Sequence, residues 1–192
     1  MRVAFIVSFV ANVILALVSI VVLPARVAIH FGSGGIPNNW APNYVNSLIF
    51  LGMDIILFVC LYFSPHLTFI FPPKSINLPN KQFWLAPENR HRTVAKISAL
   101  IYQFGVAIFL FLFVIGLLTI QANLTKPVRL KEHYFFLFLI PFLAYSIAWC
   151  IVFFKSFRIP NENNLASKQI QPIGGKNAAD RLIRNVRSKK YD

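Results

Sequence analysis

Residues 3–23 read VAFIVSFVANVILALVSIVVL, an apolar run broken only by Ser8, Asn12 and Ser19. A bilayer core of ~30 Å takes about 20 such residues as a helix. The run is longer than the 7–15 residue core of a cleaved signal peptide. Its exit, Leu23-Pro24-Ala25-Arg26, offers no small-x-small cleavage site. It is expected to be a retained transmembrane helix. Three further stretches have similar character: about 47–71 with a break at Pro65, 97–120, and 134–154. The expected fold is all-α: a polytopic membrane protein with four transmembrane helices over residues 1–154. A basic tail follows at residues 155–192.

Composition agrees with this organisation. The chain has 192 residues and is 57% hydrophobic, yet carries a net charge of +13. Only 13% of residues are charged, about half the usual share for a soluble domain. The basic side chains lie in short segments beside the apolar runs. Phospholipid headgroups, rather than nucleic acid, are therefore the expected partner of that charge.

The distribution of Lys and Arg predicts orientation. The N-terminus, the connection between the second and third spans, and the tail share one side and hold 15 of them, against 4 in the other two loops. Both termini are thus expected in the cytoplasm, and the first loop outside.

That first loop continues LPARVAIHFGSGGIPNNW, residues 23–40. Pro24 suits a helix end, because the residue before a proline is pushed out of the α region. Val27, Ile29 and Phe31 alternate with Ala28 and His30, as in an extended strand. Gly32, Gly34 and Gly35 can supply the positive φ angles of a tight reversal. Pro37 stiffens the return, and Trp40 has the amphipathic ring favoured at a membrane interface. The segment predicts an ordered outer hairpin. Arg26, His30, Phe31, Gly35, Pro37 and Trp40 are its candidate binding residues. A lone histidine without acidic or cysteine neighbours is a poor metal ligand set, and no metal or cofactor is expected.

A second motif, INLPNKQFWLAPENRHR at residues 76–92, joins the second and third spans. Asn77, Pro79 and Asn80 are turn formers. Phe83, Trp84 and Leu85 form an apolar knuckle expected in the headgroup region. Pro87 and Glu88 suit the opening turn of the third helix. Asn77, Pro79, Asn80 and Trp84 are candidate contacts for a cytoplasmic partner or lipid.

Together the two motifs carry a resemblance. The positions Leu23, Pro24, Arg26, Val27, Ile29, His30, Phe31, Gly35, Pro37 and Trp40 resemble the small membrane domain of unknown function at the N-terminus of SdpI-type toxin-immunity proteins. Asn77, Leu78, Pro79, Asn80, Trp84, Leu85 and Pro87 resemble the segment after the second helix in stand-alone members of that family. The resemblance covers about the first half of the chain and implies a bacterial inner-membrane protein. The immunity proteins carry further membrane helices in a second region that has no counterpart among the four spans here.

Within the spans Asp54 stands out, in FLGMDIILF. A carboxyl at that depth costs ~2.5–3.5 kcal/mol on insertion scales and is a functional candidate by default, as a ligand or partner contact or a proton relay. It is expected as a neutral acid tying helices through Tyr145 or Ser19, or paired upward with Arg26 or His30. Asn12, Tyr102 and Gln103 are further inward-facing candidates. Cys60 and Cys150 are expected as small buried hydrophobes. In the tail, AADRLIRNVRSKK is a short basic amphipathic segment. Arg181, Arg184, Arg187, Lys189 and Lys190 are its expected contacts to anionic lipid.

No nucleophile–base–acid set, metal-spaced cluster or phosphate loop is visible, so the chain is not expected to be an enzyme. Three functions remain. A binding or immunity-like protein would recognise a peptide, toxin or envelope protein through the outer loop. An accessory subunit would belong to a larger membrane complex. A small proton-linked transporter would centre on Asp54.

Overall fold

A computed structural model describes residues 1–158; the basic tail segment with Arg181, Arg184, Arg187, Lys189 and Lys190 lies outside the described residues. In chain order the elements are α1 (Arg2–Val22), β1 (Arg26–Phe31), β2 (Pro37–Pro42), α2 (Asn43–Leu67), the single turn α3 (Lys81–Trp84), α4 (Arg90–Leu124) and α5 (Glu132–Ser156). Helices α1, α2, α4 and α5 are long and apolar enough to cross a membrane, which makes this a multi-pass membrane protein.

The helix ends depart from the apolar pattern. A 3₁₀ turn over Pro87–Asn89 feeds α4 at Arg90, well before the apolar run begins. Arg90, Arg92 and Lys96 are good helix formers, so the helix extends beyond the segment whose apolarity matches the bilayer. Similarly, α2 starts at Asn43, directly after β2, and passes through Pro65 to Leu67.

Helices α1, α2 and α4 pack against one another, and α5 lies chiefly along α4. Lipid is as apolar as leucine, so close packing and small residues hold such a bundle together. The centre of the three-helix body is aromatic. Phe5 and Phe109 are fully buried. Phe5 stacks on Phe58 at 5.2 Å and on Tyr102 at 5.1 Å, and Phe9 stacks on Phe58 at 4.3 Å. Gly105 makes this possible, since a Cβ there would run into the Phe5 ring. Asn12 ties α1 to α4 by donating to the Phe109 carbonyl at 2.8 Å. Gly105→Ala is expected to destabilise the bundle by about 1–3 kcal/mol through overpacking. Gly52→Ala, with open space at its Cβ position, is expected to be neutral or slightly stabilising through helix propensity. Unfolding titrations in mixed micelles measure both; equal effects would contradict this packing.

Along α5 no residue is fully buried. Its hold on α4 comes from stacked rings, Phe104 on Trp149 and Phe111 on Phe142, each at 4.5 Å. The Trp149 indole also donates to the Leu100 carbonyl at 3.1 Å.

The α2–α4 connector folds onto the end of α5. Trp84 is fully buried among Leu78, Ile97 and Phe157, and its indole donates to the Phe157 carbonyl at 2.8 Å. Asn80, in the left-handed region at φ 52°, donates to the same carbonyl at 2.9 Å. Thr93 donates to the Trp84 carbonyl at 2.6 Å. The Lys96 ammonium sits 4.3 Å from the centre of one Trp84 ring face. The expectation that Trp84 presses into headgroups is therefore corrected. Its ring fills a protein interior, with Phe83 and Leu85 half-buried beside it.

Candidate functional site

At the opposite end of the bundle the 23–42 segment forms the expected hairpin. Its strands are antiparallel, with Arg26 opposite Pro42 and Ala28 opposite Trp40, and the register is irregular around His30. Gly34 and Gly35 make the reversal at φ 72° and 70°. An isolated two-stranded hairpin is marginal in water, and here the α4–α5 region anchors it. The Asn123 side chain accepts from the Ala28 N–H at 2.7 Å and donates to the Ala28 carbonyl at 3.0 Å. The Gly35 N–H donates to Glu132 Oε1 at 2.9 Å, while the Gly35 carbonyl accepts from the Leu130 N–H at 2.9 Å. Arg129 donates to the Gly34 carbonyl at 2.7 Å. Val27 and Ala28 are both fully buried by this docking, which overrides the simple alternation of the strand.

The docked hairpin roofs a cleft of ≈ 400 Å³. Its walls include Ile29, His30 and Phe31 from the hairpin, Phe50 from α2, and Glu132 and Phe135 from α5. His30 Nδ1 lies 2.6 Å from Asn38 Oδ1, so a side-chain hydrogen bond fixes the imidazole on the exposed face. Trp40 remains 40% exposed. Of the hairpin candidates, His30 and Phe31 line the cleft. Arg26 and Trp40 lie exposed on the hairpin, Gly35 anchors it, and half-buried Pro37 opens β2.

One helical turn below Phe50, Asp54 is 1% exposed, and its Oδ1 has no hydrogen-bond partner. It lines a small pocket between α1, α2 and α4, together with Asn12, Ser19, Asn46 and Gly116. The space for a water's centre there is ≈ 20 Å³, enough for one such molecule. None of the expected partners reaches it. Ser19 is 2.6 Å from Ser47 instead. Tyr145 belongs to α5 and stacks with Phe104 at 6.4 Å. Arg26 and His30 are on the exposed face of the hairpin.

The second set of candidates lies at the other end of the bundle. Asn77 and Asn80 are exposed in the connector, Pro79 is half-buried, and Trp84 is interior. Three other expectations are also corrected: Gln103 faces outward, and Cys60 and Cys150 are exposed on the helix surfaces. In a span that is apolar on every side, residue type does not reveal which face turns inward. Among the described residues no cluster of three His, Cys, Asp or Glu is placed to hold a metal.

Asn123 and Glu132 hold the hairpin backbone, a role that the sequence did not mark. They lie 95 and 97 residues from the hairpin groups they bind. Asn46 and Phe50 were likewise hidden in an apolar run.

The fold and this site define a multi-pass membrane protein with a docked hairpin cap. Residues 7–53, from α1 through the hairpin into α2, match a family described as Domain of unknown function (DUF1648). No curated protein and no solved structure matches the chain.

Proposed function

We propose that this chain is a non-catalytic binding protein of the bacterial inner membrane. Both termini are in the cytoplasm, and the hairpin recognises a peptide, a toxin or another envelope protein outside. The observation that carries the reading is the cleft under an ordered cap, with His30 and Phe31 in its wall. A rigid scaffold holding polar and aromatic groups around a cleft of that size is the usual form of a binding site. The resemblance to the front of SdpI-type immunity proteins supports the toxin or peptide version, and the Lys and Arg distribution supports the orientation. The basic tail, in this reading, rests on anionic lipid.

The double substitution His30→Ala, Trp40→Ala leaves the hairpin anchors at Gly35 and Ala28 intact. It is expected to cost about 1–3 kcal/mol of stability in detergent, from the His30–Asn38 hydrogen bond and the covered part of the Trp40 ring, while the chain stays folded. It is also expected to abolish recovery of whatever partner co-purifies with the natural chain. Equal recovery by both would sink the reading.

A second reading, an accessory subunit of a membrane complex, is favoured by α5. It packs chiefly on one helix and turns Phe136, Ile140, Ile147 and Ile151 outward. Native-detergent mass spectrometry separates the two, since a subunit co-purifies with its complex independently of His30 and Trp40.

A further inference from the structure

Asp54 plays no part in the binding reading, and its surroundings carry a separate argument. Its pocket shares one wall, Phe50, with the cleft under the hairpin. On α2, Phe50 precedes Asp54 by one turn toward the hairpin. On α4 the two spaces are lined by interleaved residues, Ile115 and Thr119 for the cleft, Gly116 and Ile120 for the pocket. Among the described residues, half-buried Phe50 is the one that lines both spaces.

Toward the connector the arrangement differs. One turn from Asp54 along α2 is Phe58, which stacks on Phe9 at 4.3 Å. One turn from Leu112 along α4 is Phe109, 5.6 Å from the same Phe9 ring. Below that layer Phe5 and Tyr102 continue the aromatic packing. This side is several rings thick.

We propose that Asp54 is a one-sided proton-binding site, exchanging with water in the hairpin-end cleft past Phe50 and closed toward the connector by the Phe9–Phe58–Phe109 layer. The step is simple. The carboxylate takes one proton from a hydronium ion, leaving water, and later returns it to the same cleft. No proton crosses the protein, so the site senses one compartment and does not drive transport. Among the described residues, α1 contributes only Asn12, Leu15, Ala16 and Ser19 to the pocket, and α4 only Leu112, Gly116 and Ile120. None carries a charge, and Asn46 and Phe50 of α2 are also neutral. The titratable side chains on the exchange route are His30 and Glu132 in the cleft wall.

Infrared difference spectroscopy of the full chain in nanodiscs tests this. The carboxylic-acid band should titrate with pH and be missing in Asp54→Asn, which keeps the side-chain shape. On transfer to heavy water, its exchange should speed by about tenfold or more in Phe50→Ala, equivalent to about 1.4 kcal/mol off the barrier. It should slow in Phe50→Trp and stay unchanged in Phe58→Leu. Absence of any titrating band assignable to Asp54 overturns the proposal. So does exchange indifferent to Phe50, or acceleration by Phe58→Leu equal to that by Phe50→Ala. Loss of the acid band on adding sodium at fixed pH, but not on adding choline, overturns it in favour of a metal-cation site.

Discussion

Trp84→Ala is expected to cost about 3–5 kcal/mol, the usual range for deleting a buried large aromatic. Trp84 is fully buried, and its neighbours Leu78, Ile97 and Phe157 come from the connector, α4 and the chain just after α5. Removing the ring opens a cavity where three segments meet and frees the indole's share of the Phe157 carbonyl. It also takes away the ring face under the Lys96 ammonium. Trp84→Phe keeps much of the volume and leaves Asn80 bonded to that carbonyl, so about 1 kcal/mol is expected for the lost hydrogen bond. Mixed-micelle unfolding gives the energies, and tryptic cleavage at Lys81 should quicken in the alanine variant. If Trp84→Ala unfolds like the natural chain, the ring does not fill the interior and belongs at the headgroups after all.

Gly35→Ala is the second large effect. Gly35 sits at φ 70°, and a Cβ there would meet the Leu130 carbonyl oxygen. The left-handed backbone alone costs an alanine about 1–2 kcal/mol. Main-chain atoms on the opposite loop cannot rotate away as a flexible side chain can. The hairpin must therefore lift from the α4–α5 loop, with loss of the bonds to Glu132 and Leu130. At about 0.5–1.5 kcal/mol each, these bring the expected total to about 2–5 kcal/mol. Gly34→Ala provides the contrast. It has a similar φ, 72°, but its new Cβ would meet only side-chain ends, Arg129 at 3.4 Å and Ile36 at 4.0 Å. About 1–2 kcal/mol is expected there, from the backbone alone. Tryptic cleavage after Arg129 and Lys131 should rise sharply for Gly35→Ala and little for Gly34→Ala; the same rise in both would remove the docking argument.

The four helices were legible because crossing a bilayer demands about 20 apolar residues in a row, and no soluble element imitates that pattern. The hairpin was legible from its alternation and glycines. Its docking was not. Asn123 looks like any polar residue near a helix end, and its significance lies in Ala28, 95 residues away. Asp54 was legible as a carboxyl in an apolar run, but its neighbours were not. Neither the start of a helix nor its rotation about its own axis can be counted from the sequence when every face is apolar. So Ser19, expected beside Asp54, stands level with Ser47, about two turns of α2 away, and Tyr145 stands on a helix that packs elsewhere. Trp84 misled for a related reason, since a tryptophan near a membrane boundary suits an interface and a connector core equally well.

The clasp between Asn123 and Ala28 also bears on what can attach to the hairpin. Both outward main-chain groups of Ala28 are taken by one amide side chain, as a third strand would take them. The edge of β1 is thereby closed to strand addition at that point. On the other edge β2 begins at Pro37 and ends at Pro42, whose nitrogens have no hydrogen to donate. The sheet is finished at two strands, with little main chain left for a peptide to extend. What the hairpin offers a visitor is side chains on a fixed frame.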